Sequence, residues 1–100
     1  MAVTCTTLEQ VRENIDRLDR QIVALLAERG SFVSQAARFK KDSDGVKAPQ
    51  RVEQVINKVR VLSHTLGANP DVTEQVYRAM ISAFIQQELA EHAALTQPTT

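Results

Sequence analysis

Arg29 stands in a helical apolar seam that otherwise carries no charge. The seam is Leu8, Val11, Ile15, Leu18, Ile22, Leu25, Arg29, Phe32, Ala36 and Phe39, in steps of three and four. That is the period of a helix packed against other helices. A guanidinium there is costly to bury unless an anion pairs with it. Arg12 and Lys40 flank the same segment. Long cationic side chains aimed into a helical core predict a pocket for a small anion. The competing reading makes Arg29 a guanidinium reaching water from a helix surface, and Arg12 and Lys40 solvated charges.

Helix geometry sharpens the first reading. At about 1.5 Å per residue, Arg12 and Arg29 lie roughly 25 Å apart along one helix. They cannot hold one small ligand together from a single straight helix. Arg29 and Lys40 would lie roughly 16 Å apart and within about 20° of one face. Their side chains could converge on one ligand, and Arg12 could join only from a second copy of the chain. A shared site therefore predicts an intertwined dimer.

Glu88 is the fourth candidate. It follows Tyr77, Ile81 and Phe84 on an otherwise apolar helical stripe. It is either a helix-end carboxylate reaching water or a buried group beside a pocket, where desolvation favours the neutral acid. His64 and His92 are isolated from any Cys or carboxylate cluster with ligand spacing, so no metal site is expected. No Ser-His-Asp arrangement, phosphate loop or Rossmann glycine pattern is present. Cys5, the one cysteine, is read as a bystander in a frayed terminus.

One hundred residues make a single domain. Lys plus Arg and Asp plus Glu number 12 each. There is thus no bulk field for nucleic acid or anionic lipid. No apolar run approaches the roughly 20 residues of a membrane span. Met1 to Thr7 lacks the basic and apolar regions of a signal peptide, and a cytoplasmic location is the expectation.

The elements that must position these residues are helices. The expected architecture is all-α, three helices with a very long first one. Thr7-Leu8-Glu9-Gln10 fits a capping box, so the first helix should run from about Thr7 to about Lys41. At roughly 50 Å it outreaches a globule with a radius of gyration of about 13 Å, so partner helices are needed again. Asp42-Ser43-Asp44-Gly45 is the first break. Pro49 opens the second helix, with Val52, Val55, Ile56, Val59, Leu62 and Leu66 as its stripe, and Gly67 stops it. Asn69-Pro70-Asp71 starts the third. Its stripe is Val72, Val76, Tyr77, Met80, Ile81, Phe84 and Ile85, continuing to Glu88. The ordered core is expected over about residues 7–93, with a disordered tail over 96–100.

These residues resemble the all-helical chorismate mutase family. The resemblance spans about Leu8 to Leu89. It rests on Val11-Arg12-Glu13-Asn14-Ile15-Asp16, Leu18-Asp19, Leu25-Leu26-Ala27-Glu28-Arg29 and Ala37-Arg38-Phe39-Lys40. Ala48-Pro49-Gln50-Arg51-Val52 and the stretch from Met80 to Glu88 complete it. The resemblance implies an intertwined helical homodimer with shared active sites. Arg29, Lys40, Arg51 and Glu88 would line one pocket, with Arg12 arriving from the partner. The two arginines Arg12 and Arg29 would bind the carboxylates of chorismate. Lys40 would donate to the ether oxygen and a carboxylate, Arg51 would add positive potential, and Ile81 and Ile85 would form an apolar wall. Prephenate would form without cofactor, metal or nucleophile. An ionised Glu88 would repel the developing oxyanion, so it must be protonated to help.

The chain departs from the best-known bacterial pattern. Glu88 stands where that pattern has Gln. Ala48 replaces an acid that helps hold the ring hydroxyl, and Phe84 replaces a serine. Ala48 and Phe84, with Phe39-Lys40 and Ala48-Pro49, are similar to the isochorismate-pyruvate lyase branch, which makes salicylate and pyruvate but normally keeps Gln at the position of Glu88. The expected activity is chorismate mutase, with the lyase as the alternative. Rearrangement of an amino analogue of chorismate and a helical dimer without catalysis are further readings.

Overall fold

Thr7 opens the chain's first helix as the capping pattern predicts. In the computed structural model, which describes residues 4–96, helix α1 runs Leu8–Ala37. The Thr7 hydroxyl accepts from the Gln10 N–H at 3.1 Å. The reciprocal half of the box shifts by one residue. The Gln10 side-chain oxygen accepts from the Thr6 N–H at 2.8 Å and from the Thr6 hydroxyl at 3.1 Å. Asn14 donates to the Gln10 carbonyl at 2.9 Å and to Cys5 Sγ at 3.6 Å. Cys5 is therefore tied to the start of α1, contrary to the frayed terminus expected for it.

The first helix stops earlier than expected, at Ala37 rather than Lys41. The N–H groups of Arg38, Phe39 and Lys40 turn back to the carbonyls of Gln35, Ala36 and Ala37 at 3.0–3.3 Å. Such three-residue bonds tighten a last helical turn. The cause lies downstream. Asp42 is extended at φ −153°, and its side chain accepts from the Gly45 N–H at 2.9 Å. A cap needs a non-helical backbone, so α1 must end before it. The expected break is thereby itself a short helix, α2 (Ser43–Lys47).

Helix α3 (Pro49–Leu66) begins and ends where the sequence predicts, with proline in its first turn and Gly67 at φ 77° after its last. The Ala68 N–H closes that end on the Ser63 carbonyl at 2.8 Å. Helix α4 (Pro70–Thr96) starts on Asn69, whose side chain accepts from the Asp71 N–H at 2.9 Å. Thr96, expected in a disordered tail, is the last residue of α4, and residues 97–100 lie outside the described part. The three long helices and α2 make the all-α class expected, and no strand occurs among the described residues.

The chain divides into two units, Met1–Phe32 and Val33–Thr100. In the first, Leu8, Val11, Ile15, Leu18, Ile22, Leu25 and Phe32 are all exposed. In the second, α3 packs against α4 through the short turn at Gly67, and α2 also lies on α4. Its core is Ala37, Val46, Ile56, Val59 and Ile81. Ser63 is buried with them, its hydroxyl bonded to the Val59 carbonyl at 2.8 Å. That local bond removes the cost of hiding a hydroxyl. Leu62, Leu66, Val72 and Val76, expected on the buried stripes, are exposed.

Ion pairs join α3 to α4. Arg78 takes both carboxylate oxygens of Glu53 at 3.0 and 3.1 Å and Glu74 at 2.7 Å. Arg60 reaches Glu74 at 2.8 Å and Asp71 at 3.1 Å. The Arg78 hydrogen bonds hold Glu53 and Glu74 below their ordinary value of 4.5. The carboxylates therefore favour the folded chain above that range, and the contribution is lost as pH falls through their lowered values. Denaturant midpoints of the wild type and Arg78→Met should differ slightly at neutral pH and low salt. The difference should shrink below pH 4.5 and in high salt. A difference that survives acid would assign the effect to the packing of the Arg78 stem instead.

Candidate active site

Lys40 and Glu88 are brought together. Lys40 sits in the link after α1, and Glu88 on the part of α4 that carries Ile81, Phe84 and Ile85. The ammonium Nζ donates to Glu88 Oε2 at 2.6 Å. The Glu88 side chain is 3% exposed and that of Lys40 27%. Glu88 is thus the buried group of its two readings, not a helix-end charge in water. A charge-assisted bond of this length fixes both groups.

Lys40 lies beyond the end of α1, so the shared helical face expected for it with Arg29 does not form. Its stem passes Gly45, where an added Cβ would meet Lys40 Cβ at 3.5 Å and Asp42 Oδ1 at 3.6 Å. These are ordinary contacts. The lysine is therefore set by the cap at Asp42 and by α4, not by helical phase.

Ile81 is buried, and Phe84 and Ile85 are half-buried. At seven, four and three residues before Glu88 they share its side of α4. Arg51 is exposed in the first turn of α3 and lines a surface depression together with Ala48, Pro49, Gln50 and Gln54. In the first unit Arg12 is exposed and Arg29 half-buried. Among the described residues no three His, Cys, Asp or Glu side chains gather as a metal centre requires, and no helix is long and apolar enough to cross a membrane.

One contact to the site escaped the sequence reading. His92 Nε2 meets the main-chain carbonyl of Lys40 at 2.9 Å. The spacing of four between Glu88 and His92 puts both on one face of α4, and that was the available signal.

Fold and site together define an all-helical protein whose second unit presents a lysine and a buried carboxylate on an apolar helix face. The profile of the family chorismate mutase type II matches residues 11–89. A curated relative, the isochorismate pyruvate lyase of Pseudomonas aeruginosa, is 31% identical over 85 residues, covering 85% of this chain and 84% of that protein. The chain belongs to the chorismate mutase type II family.

Proposed function

We propose that the chain rearranges chorismate to prephenate in a pocket built around Lys40. The observation that carries this is the Lys40 ammonium, part-exposed and fixed at 2.6 Å by a buried Glu88 on an apolar stretch of α4. In the reaction the ether C–O bond breaks while the enolpyruvyl methylene carbon bonds to the ring. No group outside the substrate forms a bond. The protein's task is to hold the flexible arm over the ring and to meet negative charge growing on the ether oxygen with donors already in place. Lys40 is the donor to that oxygen. Arg29, with Arg12 from a second copy of the chain, binds the two carboxylates, because guanidinium and carboxylate match in bidentate fashion. Arg51 adds positive potential, and Ile81, Phe84 and Ile85 give an apolar wall. The exposed seam from Leu8 to Phe32 supports a homodimer with shared sites, since patches of this kind mark association surfaces.

A second reading is the isochorismate-pyruvate lyase reaction, favoured by the name of the 31% identical relative. There the same kind of C–O bond breaks, a ring hydrogen moves to the methylene carbon, and the ring becomes aromatic. Both reactions need the same cations. Purified protein offered each substrate separately should yield prephenate from chorismate. Salicylate from isochorismate as the faster product would establish the second reading, and turnover of neither would refute both.

Glu88 has two opposed roles open to it, and they differ in sign with pH. As a second donor to the ether oxygen it acts only when protonated, so activity falls as pH rises. As an ionised carboxylate orienting Lys40 it acts only when deprotonated, so activity rises instead. The 2.6 Å bond it accepts from the Lys40 ammonium favours the orienting role. Glu88→Gln keeps a donor at every pH and should flatten the profile. Turnover of both proteins from acid to mildly alkaline pH decides, and a wild-type rate that climbs with pH rules the donor role out.

A further inference from the structure

Lys40 belongs to no helix, yet the proposed chemistry needs its ammonium placed to within a fraction of an ångström. A flexible four-carbon stem on a connecting segment does not supply that placement. α4 does. Glu88 takes the ammonium at 2.6 Å, and one helical turn later His92 meets the Lys40 carbonyl at 2.9 Å. A carbonyl only accepts, so Nε2 carries the hydrogen and donates. Between those two side chains, Glu91 accepts from the Ser34 hydroxyl at 3.1 Å, and Gln87 braces Glu91 at 3.2 Å. The end of α1 and the residues after it are thus fastened to a single stretch of α4.

We propose that His92 is a positioning residue, which anchors the main chain of Lys40 so that α4 holds this lysine at both its backbone and its charged end. The inference rests on the proposed role of Lys40 in turnover. Glu88 alone leaves the lysine free to follow any movement of its backbone. With the carbonyl pinned, the Cα of Lys40 becomes a fixed point, and the stem spans two anchors on one rigid helix. On the same stretch of α4, Glu88 takes the Lys40 ammonium and Glu91 accepts from the Ser34 hydroxyl. None of them replaces a donor aimed at a main-chain carbonyl. Gln is the side chain that does, since its amide nitrogen sits about as far from the backbone as Nε2 of histidine.

The test compares His92→Ala and His92→Gln in the full chain. Nitrogen-15 spectra of the wild-type imidazole should show the hydrogen on Nε2. The Lys40 side-chain signals should move in His92→Ala and return toward their wild-type positions in His92→Gln. On whichever substrate the wild type turns over, His92→Ala should lower kcat by up to about 100-fold, the scale of a reacting group displaced by about 1 Å. His92→Gln should recover most of that, with the thermal midpoint unchanged between the two variants. Unmoved Lys40 signals in His92→Ala would overturn the proposal. So would equal loss in both variants with a falling thermal midpoint, which marks a role in folding only. Should the wild type turn over neither chorismate nor isochorismate, the assigned reaction fails while the Lys40 signals still decide whether the anchor exists.

Discussion

Lys40→Ala is expected to lower turnover by about 10²–10³-fold, the loss seen when one pre-positioned donor to a developing oxyanion is removed. The ammonium is the group proposed to meet charge growing on the ether oxygen, and water in its place must reorganise during the reaction. Arg29→Ala should fall by a comparable factor through loss of a bidentate carboxylate clamp. The two variants differ in their effect on the fold. Removing Lys40 leaves Glu88, 3% exposed, without its ammonium, and a buried carboxylate stripped of its partner destabilises. Lys40→Ala combined with Glu88→Gln should therefore recover thermal stability while staying inactive. Recovery of activity in that double variant would show that Lys40 serves only to neutralise Glu88, and the proposed catalytic role would be lost.

The second large effect concerns the origin of Arg12. Arg12→Ala and Arg29→Ala chains are each expected to be nearly inactive alone. Unfolded together and refolded, they should regain activity. In the mixed dimer one site carries Arg29 from one chain and Arg12 from the other, both intact. The remaining site carries both defects. Random pairing makes about half the dimers mixed, so about a quarter of all sites are whole. Recovery near that fraction, with none when the two proteins are mixed without unfolding, would establish donation across the dimer. No recovery from any refolded mixture would place Arg12 and its substrate within one chain or remove Arg12 from the site.

What could be read from sequence follows the range of each interaction. The start of α3 at Pro49, its stop at Gly67 and the cap of α4 at Asn69 are local, so the residues themselves declare them. The end of α1 was misplaced because the apolar steps continue through Phe39, which proves to be 86% exposed. The deciding signal was Asp42, a cap for a helix too short to announce itself by periodicity. Leu62, Leu66, Val72 and Val76 lie on well-formed apolar faces and are exposed in the single chain. A periodic pattern specifies the face and is silent about what covers it. Glu88 had two readings because burial of a carboxylate depends on a residue 48 positions away, and only the tertiary fold chooses. His92 was weighed only as a metal ligand, and its use as a donor to a carbonyl depends on where the chain returns after α1.

Ala48 closes α2 and opens α3 with a single residue at φ 36° and ψ 62°. Left-handed backbone of this kind costs an L-residue roughly 1–2 kcal/mol, and only Gly, Asn and Asp enter it with ease. Under the proposed function, this is the position at which the family resemblance would place an acid against the ring hydroxyl. Backbone geometry therefore narrows the alphabet open to evolution there to a few small side chains. Within that set the choice runs from no polar group to a full carboxylate. If the proposed function holds, a lineage drifting through this position can change in one codon the polarity offered to a ring hydroxyl, without disturbing the joint between two helices. Valine, isoleucine and threonine, easy neighbours of alanine elsewhere, are closed to it.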